Sequence, residues 1–371
     1  MPVPLLDLTP QYLALQEGFD AAVARVVSSQ RFIMGPEVVA FETEVGQFLG
    51  AEHAIGCASG SDALLLALWS LGIGPGDEVI TTAFTFFATA GAVSRLGATP
   101  VFVDIDAATF NIDPAAIEAA ISPRTKAVIP VHIFGLPADM NAINAIAAKH
   151  DIRVIEDAAQ SIGATFHGAQ TGTLGDFGCF SFFPSKNLGC WGDGGLVTSM
   201  NSEYAEVVRQ LRVHGNYPKK YYHARVGCNS RLDALQAAVL RVKLPHLASW
   251  GAARRERIDG YKARLADAGI ADQVIFQHVP TGSVPVYHQC VVRVPRRDAL
   301  LAHLKEQGIG CAIYYPRPLH LQECFADLGQ GLGALPVTEK ACEEVIALPI
   351  FPELRGEQQD EVVAALRSFL A

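Results

Sequence analysis

Short apolar, β-branched runs and helical stretches alternate along the first half of the chain. Residues 79–81, 100–104, 126–132 and 153–157 read VIT, PVFVD, KAVIPVH and RVIED. Continuous apolar runs of this length suit strands covered on both faces. Between them, SDALLLALWSLG, FFATAGAVSRLG, DPAAIEAAI and NAINAIAAKH carry helical patterning. Some of these end at a glycine, the usual helix C-cap. Strand–helix alternation from residue 54 to about residue 198 predicts a mostly parallel central sheet flanked by helices, an α/β fold.

The pattern changes after residue 216. NYPKKYYHARVGCNSRLD has no periodicity and reads as a long loop. LDALQAAVLRVKLPHL restarts a helix, and RRERIDGYKARLADAG continues helical and charged. From residue 286 the predicted order is strand, helix (ALLAHLKEQG), strand (CAIYYP), then helices to the C-terminus. The expected division is a large α/β domain over residues 1–245, including the N-terminal segment, and a smaller α+β domain over 246–371. No internal repeat or low-complexity tract interrupts it.

Composition narrows the function classes. The chain has 371 residues, half of them apolar, and a net charge of -9. That is ample for a large core, and the acidic balance argues against nucleic-acid binding. The N-terminus lacks a basic segment followed by an apolar core, so no signal peptide is expected. No apolar run approaches the roughly 20 residues that span a bilayer. The eight cysteines are scattered without a C-x-x-C pair, which predicts reduced thiols and no zinc site. A soluble cytoplasmic protein is expected.

One stretch breaks the apolar pattern with a lone cation. Residues 180–195, FSFFPSKNLGCWGDGG, set Lys186 between an aromatic run and a string of glycines. Asp157 closes the strand RVIED. There it either meets a ligand beyond the carboxyl end of the strand or caps the segment that follows. A strand-like AIGCA leads into Ser59, Gly60 and Ser61 and then a helix, which serves as a phosphate cradle or as an ordinary serine cap. Phe84, Phe86 and Phe87 follow the strand VIT; at least one belongs in the core, and one is available to lie on a planar ring. A lysine, a strand-end carboxylate, a Gly/Ser helix start and an aromatic are together the parts that hold pyridoxal phosphate. In that assembly Ser181 joins the Ser/Gly turn on the phosphate.

EDAAQSIGA, FSFFPSKNLGCWGDGG, VGCNSRLDALQAA and YYPRPLHLQ resemble the DegT/StrS family of sugar-nucleotide aminotransferases, as do FIMGPEVVAFE and SGSDALLLAL. The likeness covers nearly the whole chain in family order. It implies a homodimeric pyridoxal-phosphate enzyme of fold type I with glutamate as amino donor. By position, Lys186 matches the Schiff-base lysine, Asp157 the partner of the pyridine nitrogen, and Gln160 the residue near the ring hydroxyl. Gly60, Ser61 and Ser181 match phosphate ligands, and Phe86 the stacking aromatic. Asn229 matches a phosphate ligand reaching in from the other subunit. Some relatives replace the lysine with histidine and dehydrate; retention of Lys186 implies transamination.

The GDGG ending at residues 192–195 resembles members that aminate carbon 3. The whole pattern looks most like 3-aminotransferases of UDP-linked 2-acetamido-3-keto sugars, placed in cell-surface polysaccharide or lipopolysaccharide synthesis. A dTDP-3-keto-6-deoxyhexose is the alternative substrate, and a non-enzymatic regulator the alternative role. Arg231 matches a substrate-contacting arginine, or serves a structural ion pair. Tyr315 and His320 are further substrate candidates. The chain departs from hexuronate-using members at Tyr314-Tyr315-Pro316, where they carry HYP, and at His320, which they lack.

Overall fold

The computed structural model describes residues 2–216, 219 and 221–370. Its main sheet has seven strands: β1 (His53–Cys57), β2 (Glu78–Thr82), β3 (Thr99–Val103), β4 (Thr125–Ile129), β5 (Arg153–Asp157), β8 (Phe177–Ser181) and β9 (Gly195–Ser199). The short β6 (Thr165–Phe166) and β7 (Ala169–Gln170) fall between β5 and β8. The spatial order is β1-β9-β8-β5-β4-β2-β3. From β3 through β8 every pairing is parallel; β9 runs antiparallel to both β8 and β1. The four apolar runs that predicted strands are β2 to β5; the near-continuous burial of β2, β4 and β5 fits a sheet covered on both faces, while β3 at its edge is buried only in part.

Helices Gly60–Ser70 and Ser202–Leu211 cover one side. Leu66, Val79, Ile155, Phe177 and Val197 meet there in a common core. Helices Pro36–Leu49 and Ala234–Lys243 build another core around Phe41, Phe182, Leu188 and Leu240. With parallel strands sharing one direction, the carboxyl ends of β2, β4, β5 and β8 open on the same edge.

A second sheet orders β10 (Ile275–Phe276), β12 (Cys290–Arg293) and β13 (Val345–Leu348), with β12 central; β11 (Ser283–Val284) pairs instead with β6. Tyr261, Val292, Leu300, Ile346 and Leu366 form its core, and Val3 from the N-terminal segment joins them. Helix Leu247–Asp267 links the two regions: Leu247 packs in the core of Phe41 and Phe182, and Ile258 in that of the second sheet.

Two expectations for the C-terminal third need correcting. CAIYYP is not a strand: only Ala312 makes a bridge, to Ala347. The segment touches the free edge of β13 at that one bridge and then leaves the sheet, carrying Tyr315 toward Gln160. The run to the C-terminus is not all helical either. VIAL at residues 345–348 is β13, between helices Pro336–Glu344 and Gly356–Leu370.

Candidate active site

Asp157 ends β5 and is 6 % exposed. Thr89 Oγ1 donates to Oδ2 at 2.7 Å, and the Ala159 amide to Oδ1 at 3.2 Å. Among the described residues no cation lies within ion-pair distance of this carboxylate. Burial pushes its pKa up, while the bonds from Thr89 and Ala159 and the attraction of Lys186 pull it down. The segment that follows is turn rather than helix, so Asp157 does not cap a helix.

The neighbouring residue secures the strand. Glu156 is fully buried; it accepts from the amides of Gly172, Leu174 and Gly175 at 2.7–2.8 Å and pairs with His132 Nε2 at 2.9 Å. The Ala138 amide donates to His132 Nδ1 at 3.0 Å, which leaves the imidazole proton on Nε2. The backbone of His132 donates to the Asp157 carbonyl at 3.1 Å. Asp157 is therefore presented from a fully bonded strand end.

Lys186 lies in the loop after β8, half-buried. Desolvation of its amine outweighs the attraction of Asp157 and lowers its pKa from 10.5 to about 8. Gln160 is fixed at both ends of its amide. Its Oε1 accepts from the Phe134 amide at 2.6 Å, and its Nε2 donates to the Tyr315 hydroxyl at 3.1 Å. Burial pushes the Tyr315 hydroxyl pKa up.

Ser59 caps helix Gly60–Ser70 by accepting from the Asp62 amide at 3.1 Å. A Cβ on Gly60 would lie 2.6 Å from that of Ser181, and one on Gly195 would lie 2.3 Å from the Ser59 carbonyl oxygen. The helix start is thus wedged between β8 and β9, where only glycine fits. Beside it, a groove of about 460 Å³ is lined by Ser61, Phe87, Arg95, Cys324 and Phe325 among others. The three phenylalanines separate cleanly: Phe84 is core, Phe87 packs on Phe325, and Phe86 is 59 % exposed.

Further from this cluster, Asn229 bridges to Val213 through its backbone and leaves its side chain exposed. Ser230 Oγ accepts from the Ala58 amide at 3.2 Å, which seats this segment beside the Ser59 turn. Arg231 forms no ion pair among the described residues, and its Nε is buried without a partner. Of the expected loop, Tyr217, Pro218 and Lys220 lie outside the described residues. His320 is 1 % exposed and its Nε2 meets Glu339 at 3.0 Å, while its Nδ1 has no partner.

These residues fit pyridoxal phosphate on their own chemistry. A buried carboxylate without a cation suits a protonated ring nitrogen, a desolvated lysine suits an aldehyde, and a side-chain-free helix start suits a phosphate. The comparisons agree. The profile of the DegT/DnrJ/EryC1/StrS aminotransferase family matches residues 14–367. The chain belongs to this family.

A pleiotropic regulatory protein of Geobacillus stearothermophilus is 52 % identical to it, over 100 % of this chain and 99 % of that one. The UDP-N-acetyl-3-dehydro-alpha-D-glucosamine 3-aminotransferase of Acidithiobacillus ferrooxidans is 46 % identical over 99 % and 98 %. The crystal structure of DesV from S. venezuelae, in complex with a ketimine intermediate, superposes with a TM-score of 0.96 at 44 % identity, covering 100 % of this chain and 98 % of that one. This DegT/DnrJ/EryC1/StrS protein is an aminotransferase, and its cofactor is pyridoxal phosphate.

Three supporting residues of this aminotransferase escaped sequence reasoning. Thr89 is buried and bonds Asp157, yet in FFATAGAVSRLG it reads as part of an apolar helix. Asn187, next to Lys186, bonds His288 from a segment a hundred residues away. Only a buried-polar signal could have marked Thr89; nothing local marks the Asn187–His288 contact.

Proposed function

We propose that this aminotransferase moves an amino group from L-glutamate to carbon 3 of a UDP-linked 2-acetamido-3-keto sugar, within the cytoplasm, for cell-surface polysaccharide or lipopolysaccharide synthesis. The observation that carries the reading is the buried Asp157 at the carboxyl end of β5, with no cation within ion-pair distance among the described residues, next to the loop that holds the desolvated Lys186. When bound, pyridoxal phosphate supplies a ring that takes up the electron pair left at the substrate carbon. Lys186 would be the covalent anchor, and its amine, when free, would take up and return a proton at the substrate carbon. A pKa of about 8 leaves a useful neutral fraction for that role near neutral pH. Asp157 keeps the ring nitrogen protonated, with Thr89 steadying the carboxylate. Gln160 would serve the ring hydroxyl, Phe86 the ring face, and Gly60, Ser61 and Ser181 the phosphate.

The site is shared in a homodimer. Asn229 reaches the phosphate, and Arg231 the sugar nucleotide, of the other subunit. Support comes from the exposed side chain of Asn229 and from Phe86 and Phe183, which are 59 % and 53 % exposed in the single chain. Tyr315, bonded to Gln160, is the substrate candidate of this segment, whereas the buried His320, paired with Glu339, supports it from behind.

Carbon 3 and the UDP carrier rest on the GDGG motif and on the name of the 46 % identical A. ferrooxidans relative. The test is turnover of glutamate with a panel of UDP- and dTDP-linked 3-keto and 4-keto sugars. The expected result is preference for the UDP-linked 2-acetamido-3-keto sugar; preference for a dTDP-3-keto-6-deoxyhexose or for any 4-keto sugar would move the assignment. A regulatory role, as the name of the G. stearothermophilus relative suggests, predicts no turnover with any of them.

A further inference from the structure

The loop that carries Lys186 is held by the buried Leu188, by Lys243 Nζ donating to the Gly189 carbonyl at 2.6 Å, and by one polar side chain of its own. Among the described residues, every side-chain hydrogen bond from residues 184–188 to the rest of the chain runs through Asn187. Its Nδ2 donates to the Val286 carbonyl at 3.1 Å, which turns Oδ1 toward His288 Nδ1, also at 3.1 Å. His288 is therefore the donor, with its proton on Nδ1. Both side chains are only 8 % exposed, so solvent offers neither a substitute partner.

The segment 286–288 is itself held from two sides. The Val286 amide donates to the Gly135 carbonyl at 3.0 Å, and a Cβ on Gly135 would lie 3.0 Å from the amide nitrogens of Tyr287 and His288. Across from it, the buried Arg254 donates from Nη1 to the carbonyls of Tyr287 at 3.2 Å and Ile350 at 3.0 Å. Two residues further on, β12 begins in the second sheet. A cavity of about 60 Å³ separates the lysine loop from the N-terminal segment, with Leu6, Ser185, His288, Gln289 and Tyr314 in its wall.

We propose that His288 is a positioning residue for the cofactor lysine: through Asn187 it locks the loop 184–188 onto segment 286–288, so that Lys186 and the second sheet keep one fixed relation. The inference rests on Lys186 being the cofactor's anchor. The charged groups facing His288 are Lys186 and Arg254, and Asp157 faces Lys186. Burial and the two cations keep the imidazole neutral, well below its usual range. Loss of the ring enlarges the cavity, admits water near Lys186 and favours a protonated lysine nitrogen.

The test is a pH titration of the visible absorbance of the purified holoenzyme. In His288→Ala the midpoint rises by about 0.5–1 unit, a three- to tenfold change in proton affinity, and hydroxylamine releases the cofactor faster. Asn187→Ala gives the same shift, the double variant shifts no further, and His288→Gln, which still donates, stays near wild type. A merely structural loss would lower thermal stability without this pattern. Unmoved midpoints in both alanine variants, additive shifts, or a His288→Gln midpoint as displaced as that of His288→Ala would each overturn the proposal. If His288→Ala does not fold, Asn187→Ala reads the same contact from the loop side. Lys186→Ala run in parallel separates the two failures: a visible band that survives there removes the anchor assignment, and a band lost there with unmoved His288 variants removes the positioning role alone.

Discussion

In the proposed site, the chemistry falls to two groups that burial treats in opposite ways. Asp157 is pushed up and Lys186 down, both because desolvation disfavours charge, and each partly offsets the other. Thr89 adds a donor to the charged form of Asp157. Thr89→Val should therefore raise the Asp157 pKa further, move the acid limb of the pH–rate profile upward, and cut turnover. An acid limb that stays in place would exclude this role. Asp157→Asn should still retain the cofactor but lose about 10²–10³ in turnover, judged from single-turnover reaction with glutamate. Lysine linkage gives a separate check on the cofactor-free protein. Its pKa falls from 10.5 to about 8 on folding, so between those values the unfolded chain binds more protons and stability rises with pH. At pH 7 the penalty is complete. Cofactor-free Lys186→Met should thus unfold at a higher temperature than cofactor-free wild type at pH 7, with the gap closing from pH 8 to beyond 10. Lys186 and Asp157 were candidates from the sequence because a charge beside an apolar run needs a reason, although Asp157 taken alone read equally as a cap. Thr89 was not, because a threonine in a small-residue helix looks like packing until its partner is known.

At the scale of elements, strands β2 to β5 were legible as uninterrupted apolar runs, and the sheet edge followed from their parallel order. The wedge at the helix start was only half visible. Ser59, Gly60 and Ser61 announced a helix N-terminus, but its closure by Ser181 and Gly195 depends on β9 folding back antiparallel between β1 and β8. Gly195→Ala puts a methyl group 2.3 Å from the Ser59 carbonyl oxygen, a backbone atom that cannot rotate away. The expected cost is about 1–3 kcal/mol in stability, measured by denaturant unfolding, together with weaker cofactor retention. Stability and retention equal to wild type would show that the helix start is not clamped there. CAIYYP was misread because Ala312, Ile313, Tyr314 and Tyr315 have the composition of a strand. Their place is decided by a single bridge to the edge of β13 and by the Tyr315–Gln160 bond, neither of which is local in sequence.

For the whole molecule, the family match over residues 14–367 makes the chain an aminotransferase, and among the described residues no helix is long and apolar enough to cross a membrane. The shared-site proposal makes the dimer a working part. If Asn229 and Arg231 act across it, mixing Lys186→Ala subunits with Asn229→Ala/Arg231→Ala subunits should restore activity, since one of the two sites in each mixed dimer has every group intact. Mixed dimers, verified by mass, that remain as inactive as both parents would place these residues in their own subunit. The resemblance of motifs carried this expectation, because residues 229–231 are far from Lys186 in sequence and no pattern within one chain says which subunit they serve.

Borohydride reduction of the holoenzyme followed by peptide mass mapping tests the central claim most directly. The cofactor's mass should appear on Lys186 alone, and should vanish when L-glutamate is added before reduction. Attachment at another lysine, such as the buried Lys243, or a Lys186 adduct that survives glutamate, would contradict it.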